Sequence, residues 1–250
     1  MSFTKRRTIV ALACDPLDIS YTRRPELYDL EYSFKDYETE CARLEEIVRA
    51  RAPHAQTLLD VACGTGKHLA YFRTHFDCEG ADLDEGLLAV ARERLGDLPL
   101  HHTDMRTLDL GRRFDVVTCL FSAIGFACDL DELAAAARSL AAHVADGGVL
   151  LVEPWLTPDV WEPGRPHVLT ANAEGVVLAR VTVARQRGRI STAEMHYLVG
   201  TAEGVEQFEE DHELGLFTLD EMRRALEATG LAVEHDPEGL IGRGLWIGTR

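Results

Sequence analysis

The apolar positions of the chain follow two rhythms, and the change between them divides it. Up to about residue 155, short apolar runs alternate with stretches in which apolar residues recur every three or four positions. Strands are predicted at 57–61, 78–83, 98–102, 114–120 and 149–153; the last is continuously apolar, as a central parallel strand covered on both faces should be. Helices are predicted over 35–51, from 68 to 76, over 85–95 and over 129–143. Leu44, Ile47 and Val48 set the core spacing of the first helix, and Pro53 stops it. Asp84, and then Asp129 or Asp131, stand where helix caps belong. Such alternation predicts βαβ units and a parallel sheet.

From 156 to 216 the helical period disappears. Strands are predicted at 176–184, 189–199 and 205–214, separated by turns at Glu174-Gly175, Arg187-Gly188 and Glu203-Gly204. Strands in sequence with short turns form an antiparallel meander. Residues 156–215 are therefore expected to be an insertion that folds over the ligand edge of a domain made of 1–155 and 216–250. Its edge could pair between subunits to give a homodimer. A helix over 218–229 then returns to the main sheet, opened by Thr218 with Glu221 three residues on and ended by Gly230. Strands at 231–235 and 244–249 close the chain as a hairpin around Ile241-Gly242-Arg243.

Composition narrows the class. At 250 residues and 46% hydrophobic, the chain can bury a sizeable core without staples. A net charge of −16 argues against nucleic acid or an anionic membrane as partner, since both need a basic footprint. The six cysteines form no C-x-x-C pair, which suits reduced thiols and a cytoplasmic protein. Lys5-Arg6-Arg7 ahead of 9–13 mimics a signal peptide, but the apolar core is too short. Residues 1–25 are expected to be a loosely tied arm. His101, His102, His196 and His212 show no metal-ligand spacing, and no metal is expected.

The candidate chemistry centres on Leu58 to Lys67, where two leucines lead to Asp60 and then to a turn carrying Gly64 and Gly66. Glycine there admits close backbone approach to a ligand, and the turn presents free N–H groups above the strand end. A phosphate loop is set aside because Val61 and His68 occupy its diagnostic positions. A dinucleotide fingerprint lacks its third position. An ordinary glycine turn remains, as does the D-x-x-x-G-x-G turn of S-adenosylmethionine (AdoMet) methyltransferases, which the segment resembles. Asp60, Asp82 and Asp104 fall at three successive predicted strand ends, 22 residues apart. Ligands of open α/β sheets bind outside those ends. Asp82 then suits the ribose hydroxyls, with Asp84 left to cap the helix. Asp104 suits the adenine amine, with Met105 against the ring. Tyr21, Tyr28, Tyr32 and Tyr37 crowd near Lys35, either as helix packing or as an aromatic lid attractive to a sulfonium or ammonium group.

The order of elements resembles the class I AdoMet methyltransferases, and more closely the N,N-dimethyltransferases that act on TDP-linked aminosugars in desosamine and mycaminose biosynthesis. The residues that carry this resemblance are Tyr28-Asp29, Lys35-Asp36-Tyr37, Leu58 to Gly66 with His68-Leu69, Thr103 to Arg106 and Gly111 to Phe114, followed by Phe121-Ser122-x-Ile124-Gly125, Val152 to Trp155, His196 to Val199 and Gly242 to Leu245. The resemblance implies an α/β, Rossmann-like, seven-stranded, mostly parallel sheet with one antiparallel strand. It implies AdoMet as cofactor, held by Tyr37, Asp60, Ala62, Gly64, Gly66, Asp82, Leu83, Asp104, Met105 and Phe121. A nucleotide-linked aminosugar would be the acceptor, oriented by Tyr28 and Glu153, with Tyr32, Ser122, Phe126 and Trp155 around it and Arg243 on the diphosphate. Asp82 replaces a more usual glutamate, Phe126 a histidine and Leu156 a second aromatic; the last two bear on the acceptor. Methyl transfer needs a neutral amine held in line with the S–C bond, which proximity rewards by ~7–11 kcal/mol, so a strong base is optional.

Overall fold

A computed structural model describes residues 22–250. The expected loose arm, apart from its last four residues, lies outside the described residues, as do Tyr21 and the signal-like run.

The chain begins with a 3-10 turn, Pro25–Leu27, and a single helical turn, α1 (Tyr28–Glu31). It continues as α2 (Tyr37–Arg51), β1 (Thr57–Val61), α3 (Lys67–Phe72), β2 (Asp77–Asp82), α4 (Glu85–Leu95), β3 (Leu100–His102), β4 (Phe114–Cys119), α5 (Leu130–Ala142) and β5 (Val144–Val152). Four long strands follow: β6 (Pro166–Ala173), β7 (Val176–Arg187), β8 (Ile190–Thr201) and β9 (Gly204–Gly215). Helix α6 (Leu219–Glu227) leads to β10 (Ala232–Asp236) and β11 (Leu245–Thr249).

The main sheet has seven strands in the order β10-β11-β5-β4-β1-β2-β3, and β11 alone runs against the rest. Alternation along each strand divides the core. Leu58, Val116, Val149, Leu151 and Ile247 pack with residues of α2, α3 and α4. Leu59, Val117, Leu150, Val152 and Trp246 pack with residues of α5 and α6. Leu58 and Leu59, adjacent in sequence, are both fully buried, worth ~2–3 kcal/mol each. Helix starts follow the capping chemistry: Asp36, Asp84 and Asp129 each accept a backbone N–H, and Thr218 with Glu221 forms a capping box.

Several boundaries differ from expectation. The helix expected from 68 to 76 ends at Phe72. The 98–102 strand shrinks to Leu100–His102 at the sheet edge. Asp146-Gly147-Gly148, whose composition suits a turn, is instead a bulge inside β5: the β4–β5 register shifts there, and a Cβ on Gly148 would meet carbonyl oxygens of Asp115 and Ala145 at 2.8 and 2.9 Å.

The second sheet, β6-β7-β8-β9, is antiparallel and has four strands rather than three. β6 escapes the pattern because it is an edge strand with proline first and exposed positions on both faces. Leu27 packs with Leu178, Met195, Tyr197 and Val199 of this sheet, so the N-terminal turns lie against it.

Candidate active site

β1 runs out at Val61 into a left-handed turn: Ala62, Gly64 and Gly66 have φ of +59°, +55° and +74°. At Gly66 a side chain is excluded twice over, because its Cβ would also meet Leu95 Cδ1 at 2.6 Å. At Gly64 a Cβ would meet nothing within 4 Å, and the bare backbone faces open space. The next strand pins the turn. Gly64 N–H donates to Asp82 Oδ2 at 2.7 Å, and Asp84 N–H donates to Asp82 Oδ1 at 2.8 Å. Asp84 caps α4 through Leu87 N–H, as expected. Asp82 is nevertheless not idle: each oxygen already holds one N–H. Burial pushes its carboxyl up to about 6, the two N–H donors opposing that rise.

The other two strand-end acids are differently engaged. Asp60 is buried; its Oδ1 accepts the Thr118 hydroxyl at 2.7 Å, and its Oδ2 has no partner among the described residues. Burial raises its pKa. Asp104 accepts Arg106 Nε–H at 2.9 Å on both oxygens and Arg106 N–H at 2.8 Å on Oδ1. Burial works against its ionisation, but the Arg106 pair outweighs it and holds Asp104 below the usual carboxylate range.

A cavity of 580 Å³ opens above these strand ends. Of the expected residues, Tyr28, Ala62, Gly64, Asp82, Leu83, Asp104, Met105, Phe121 and Phe126 line it. The remaining candidates are not among the residues that line it. Asp60 and Glu153 are buried, and Tyr37 packs edge-on to His68 at 4.9 Å. Gly66 is the cap of α3. Tyr32 sits between Tyr28 and Phe121, its ring centroid 4.7 and 5.0 Å from theirs.

Beyond Phe121 the chain remains strained, because Phe121 and Ser122 have φ of +51° and +64°. Ser122 Oγ donates to Pro154 O at 2.8 Å and accepts from Arg243 Nη1 at 2.7 Å. The Arg243 guanidinium lies 4.8 Å from the centre of the Trp155 ring, whose Nε1 donates to Ser191 Oγ at 3.0 Å. Trp155, Ser122 and Arg243 therefore form one cluster beside the cavity, reaching across to β8.

The N-terminal turns strap the two sheets together. Asp29 accepts the Thr65 hydroxyl of the glycine turn at 2.7 Å and pairs with Arg94. Glu31 pairs with Arg180 of β7 and accepts from Tyr197 of β8 at 3.2 Å. Glu210 of β9 accepts the Thr22 hydroxyl at 2.9 Å. Tyr28 rides on this strap, and burial holds its phenol well above its ordinary pKa, so it stays protonated.

The chain matches a methyltransferase-domain family over residues 58–148, the strands and turns just described. It is 46% identical over 227 residues to the Streptomyces fradiae dTDP-3-amino-3,6-dideoxy-alpha-D-glucopyranose N,N-dimethyltransferase, covering 89% of both chains. It is 37% identical to the Saccharopolyspora spinosa dTDP-4-amino-2,3,4,6-tetradeoxy-D-glucose N,N-dimethyltransferase, covering 90% of this chain and 92% of that one. The chain belongs to the AdoMet-dependent N,N-dimethyltransferase family. Among solved structures, Streptomyces venezuelae DesVI superposes with a TM-score of 0.87 at 39% identity, covering 91% of this chain and 98% of that one. AdoMet-bound CalS10, described as an amino pentose methyltransferase from Micromonospora echinaspora, superposes at 0.82, with 39% identity and coverage of 93% and 98%.

In this methyltransferase the wall opposite the glycine turn comes from β9, through Asp211, His212 and Glu213, and from Cys128. From sequence an insertion is expected over the site, but none of these residues is given a place in it; His212 enters only as a histidine without metal-ligand spacing. The ring of His212 lies edge-on to that of Phe126, centroids 6.2 Å apart. Neither residue carries a local motif, and only the fold brings them together.

Proposed function

We propose that this methyltransferase moves methyl groups from AdoMet onto the amine of a nucleotide-linked aminosugar, in the biosynthesis of a natural product such as an antibiotic. The acceptor class rests on the relatives, three of which are named as N,N-dimethyltransferases of dTDP-aminosugars. The observation that carries the reading is the unequal cavity: a buried carboxylate beside bare backbone at one end, aromatic rings at the other.

The residues present fit AdoMet. Open space over Gly64 admits a ligand against the backbone, where a side chain would stand in the way. Asp82, fixed by two N–H groups, keeps lone pairs for ribose hydroxyls. Leu83, Leu87 and Met105 offer apolar faces for a purine, with Asp104 held ionised beside them. When bound, AdoMet supplies a methyl group on a sulfonium whose neutral thioether is a ready leaving group.

The chain's own contribution is placement. Tyr28 presents a protonated hydroxyl that orients the amine by hydrogen bonding and does not remove its proton. Phe121 and Phe126 exclude water and restrict the approach. Trp155 and Arg243 extend the site toward the diphosphate, where a guanidinium gives a bidentate donor. Such positioning is worth several powers of ten in rate without a strong base.

The test is incubation with AdoMet and a panel of TDP-aminosugars, read by mass. Products heavier by one and then two methyl groups are expected. No product with any aminosugar nucleotide, alongside turnover of another amine, would move the acceptor to that class. Calorimetric titration with AdoMet and with NAD checks the cofactor independently: AdoMet alone should bind.

A further inference from the structure

Consecutive left-handed residues that are not glycine are costly and persist only where their surroundings over-determine them. Phe121 and Ser122 are such a pair, and Phe121 stands on the cavity wall. Two adjacent residues at the end of β5 hold them. Glu153, 0% exposed, accepts Phe121 N–H on Oε2 at 2.6 Å. Pro154 accepts the Ser122 hydroxyl through its carbonyl at 2.8 Å. The ring of Phe121 is held separately, by the Lys35 ammonium 4.2 Å from its centre. Lys35 is in turn fixed by both oxygens of Glu40, at 2.7 and 2.8 Å, and Glu40 contacts His68 at 3.1 Å. Neither Glu153 nor Lys35 is among the residues that line the cavity.

We propose that Glu153 is a positioning residue: it acts on methyl transfer through Phe121, fixing that residue's strained backbone and with it the wall against which the acceptor rests. This replaces direct contact between Glu153 and the amine, and it deepens the proposed reaction, on which it rests. The chemistry required of Glu153 is one acceptor oxygen in one place. A glutamine supplies that; a leucine of similar size does not, and it leaves the Phe121 N–H buried and unpaired.

The experiment is a double-mutant cycle with the acceptor that the wild type methylates. Wild-type turnover on the panel is the separate control for the reaction itself, since the cycle runs equally well with any amine found there. Glu153→Gln should keep kcat within about fivefold of wild type, with the same dependence on pH. Glu153→Leu should lose about 10–100-fold in kcat, because the turn shifts once its buried N–H is unpaired and carries the Phe121 ring out of place. Phe121→Gly removes the ring and relieves the left-handed strain, so in that background Glu153→Leu should cost less than about threefold more. The proposal is overturned if Glu153→Gln is as damaged as Glu153→Leu with an altered pH profile, or if the losses add in the Phe121→Gly background. Either result would mean that Glu153 acts by a route other than the Phe121 wall. Should Glu153→Leu fail to fold, the rate and pH profile of Glu153→Gln decide alone.

Discussion

Replacing Asp82 by alanine tests the cofactor end most directly. The carboxylate accepts two backbone N–H groups, at 2.7 and 2.8 Å, and has lone pairs left for the two hydroxyls of a ribose. Hydrogen bonds to a charged group are worth ~1.5–3 kcal/mol each, so losing two removes ~3–6 kcal/mol. Part returns as water fills the space, and Gly64 is released from its pin. A net loss near 3 kcal/mol corresponds to about a hundredfold weaker AdoMet binding. Acidity gives a second handle. Asp82 titrates at about 6, above the ordinary 3.8 of an aspartate, because burial disfavours its charge. The ionised form is the better acceptor, so wild-type Kd should rise about tenfold per pH unit below 6, and the alanine variant should show no such rise. In the free protein the sign reverses. A carboxyl whose folded pKa is raised adds stability that is fully present below its unfolded pKa of about 4 and is lost as pH climbs through 6. Calorimetric titration between pH 5 and 8 measures the first effect and thermal denaturation across pH 4 to 7 the second. An alanine variant that binds AdoMet within about twofold of wild type would refute the geometry.

Other outcomes follow from the same structure. Gly66→Ala places a side chain at φ +74° against Leu95, and should cost ~2–3 kcal/mol and lower Tm by about 5–10 °C; an unchanged melt would mean that the turn relaxes freely. Glu31→Ala leaves Arg180, mostly buried, without its carboxylate partner; a loss of ~2–3 kcal/mol is expected in denaturant unfolding, and little change would show that the strap adds nothing to stability. Arg243→Ala should raise KM for a nucleotide sugar about tenfold and leave AdoMet affinity alone; an unmoved KM removes Arg243 from the acceptor site.

The main sheet was legible because its signals are local. Thr57–Val61 and Glu85–Leu95 carry their own start and stop chemistry, and the strand-end acids recur at equal spacing. Roles depended on longer contacts. That Arg106 would occupy Asp104, or that Asp82 would clamp Gly64, follows from strands that meet only in the sheet. Glu153 read as a site carboxylate because it ends a strand beside the cavity; its burial depends on the strained turn after β4, which no spacing announces. β6 went unseen because an exposed edge strand needs no apolar period. His212 gained its place opposite Phe126 only when β9 crossed the site.

The strap of residues 22–32 has a further consequence. It holds the glycine turn through Asp29 and the second sheet through Glu31, with Tyr28 between them. A ligand seated over Gly64 lies one residue from the Thr65 hydroxyl that Asp29 holds, and so is connected, through one short stretch of chain, to the second sheet. Occupancy at the two ends should therefore be coupled, and calorimetric titration of AdoMet with and without the acceptor measures by how much.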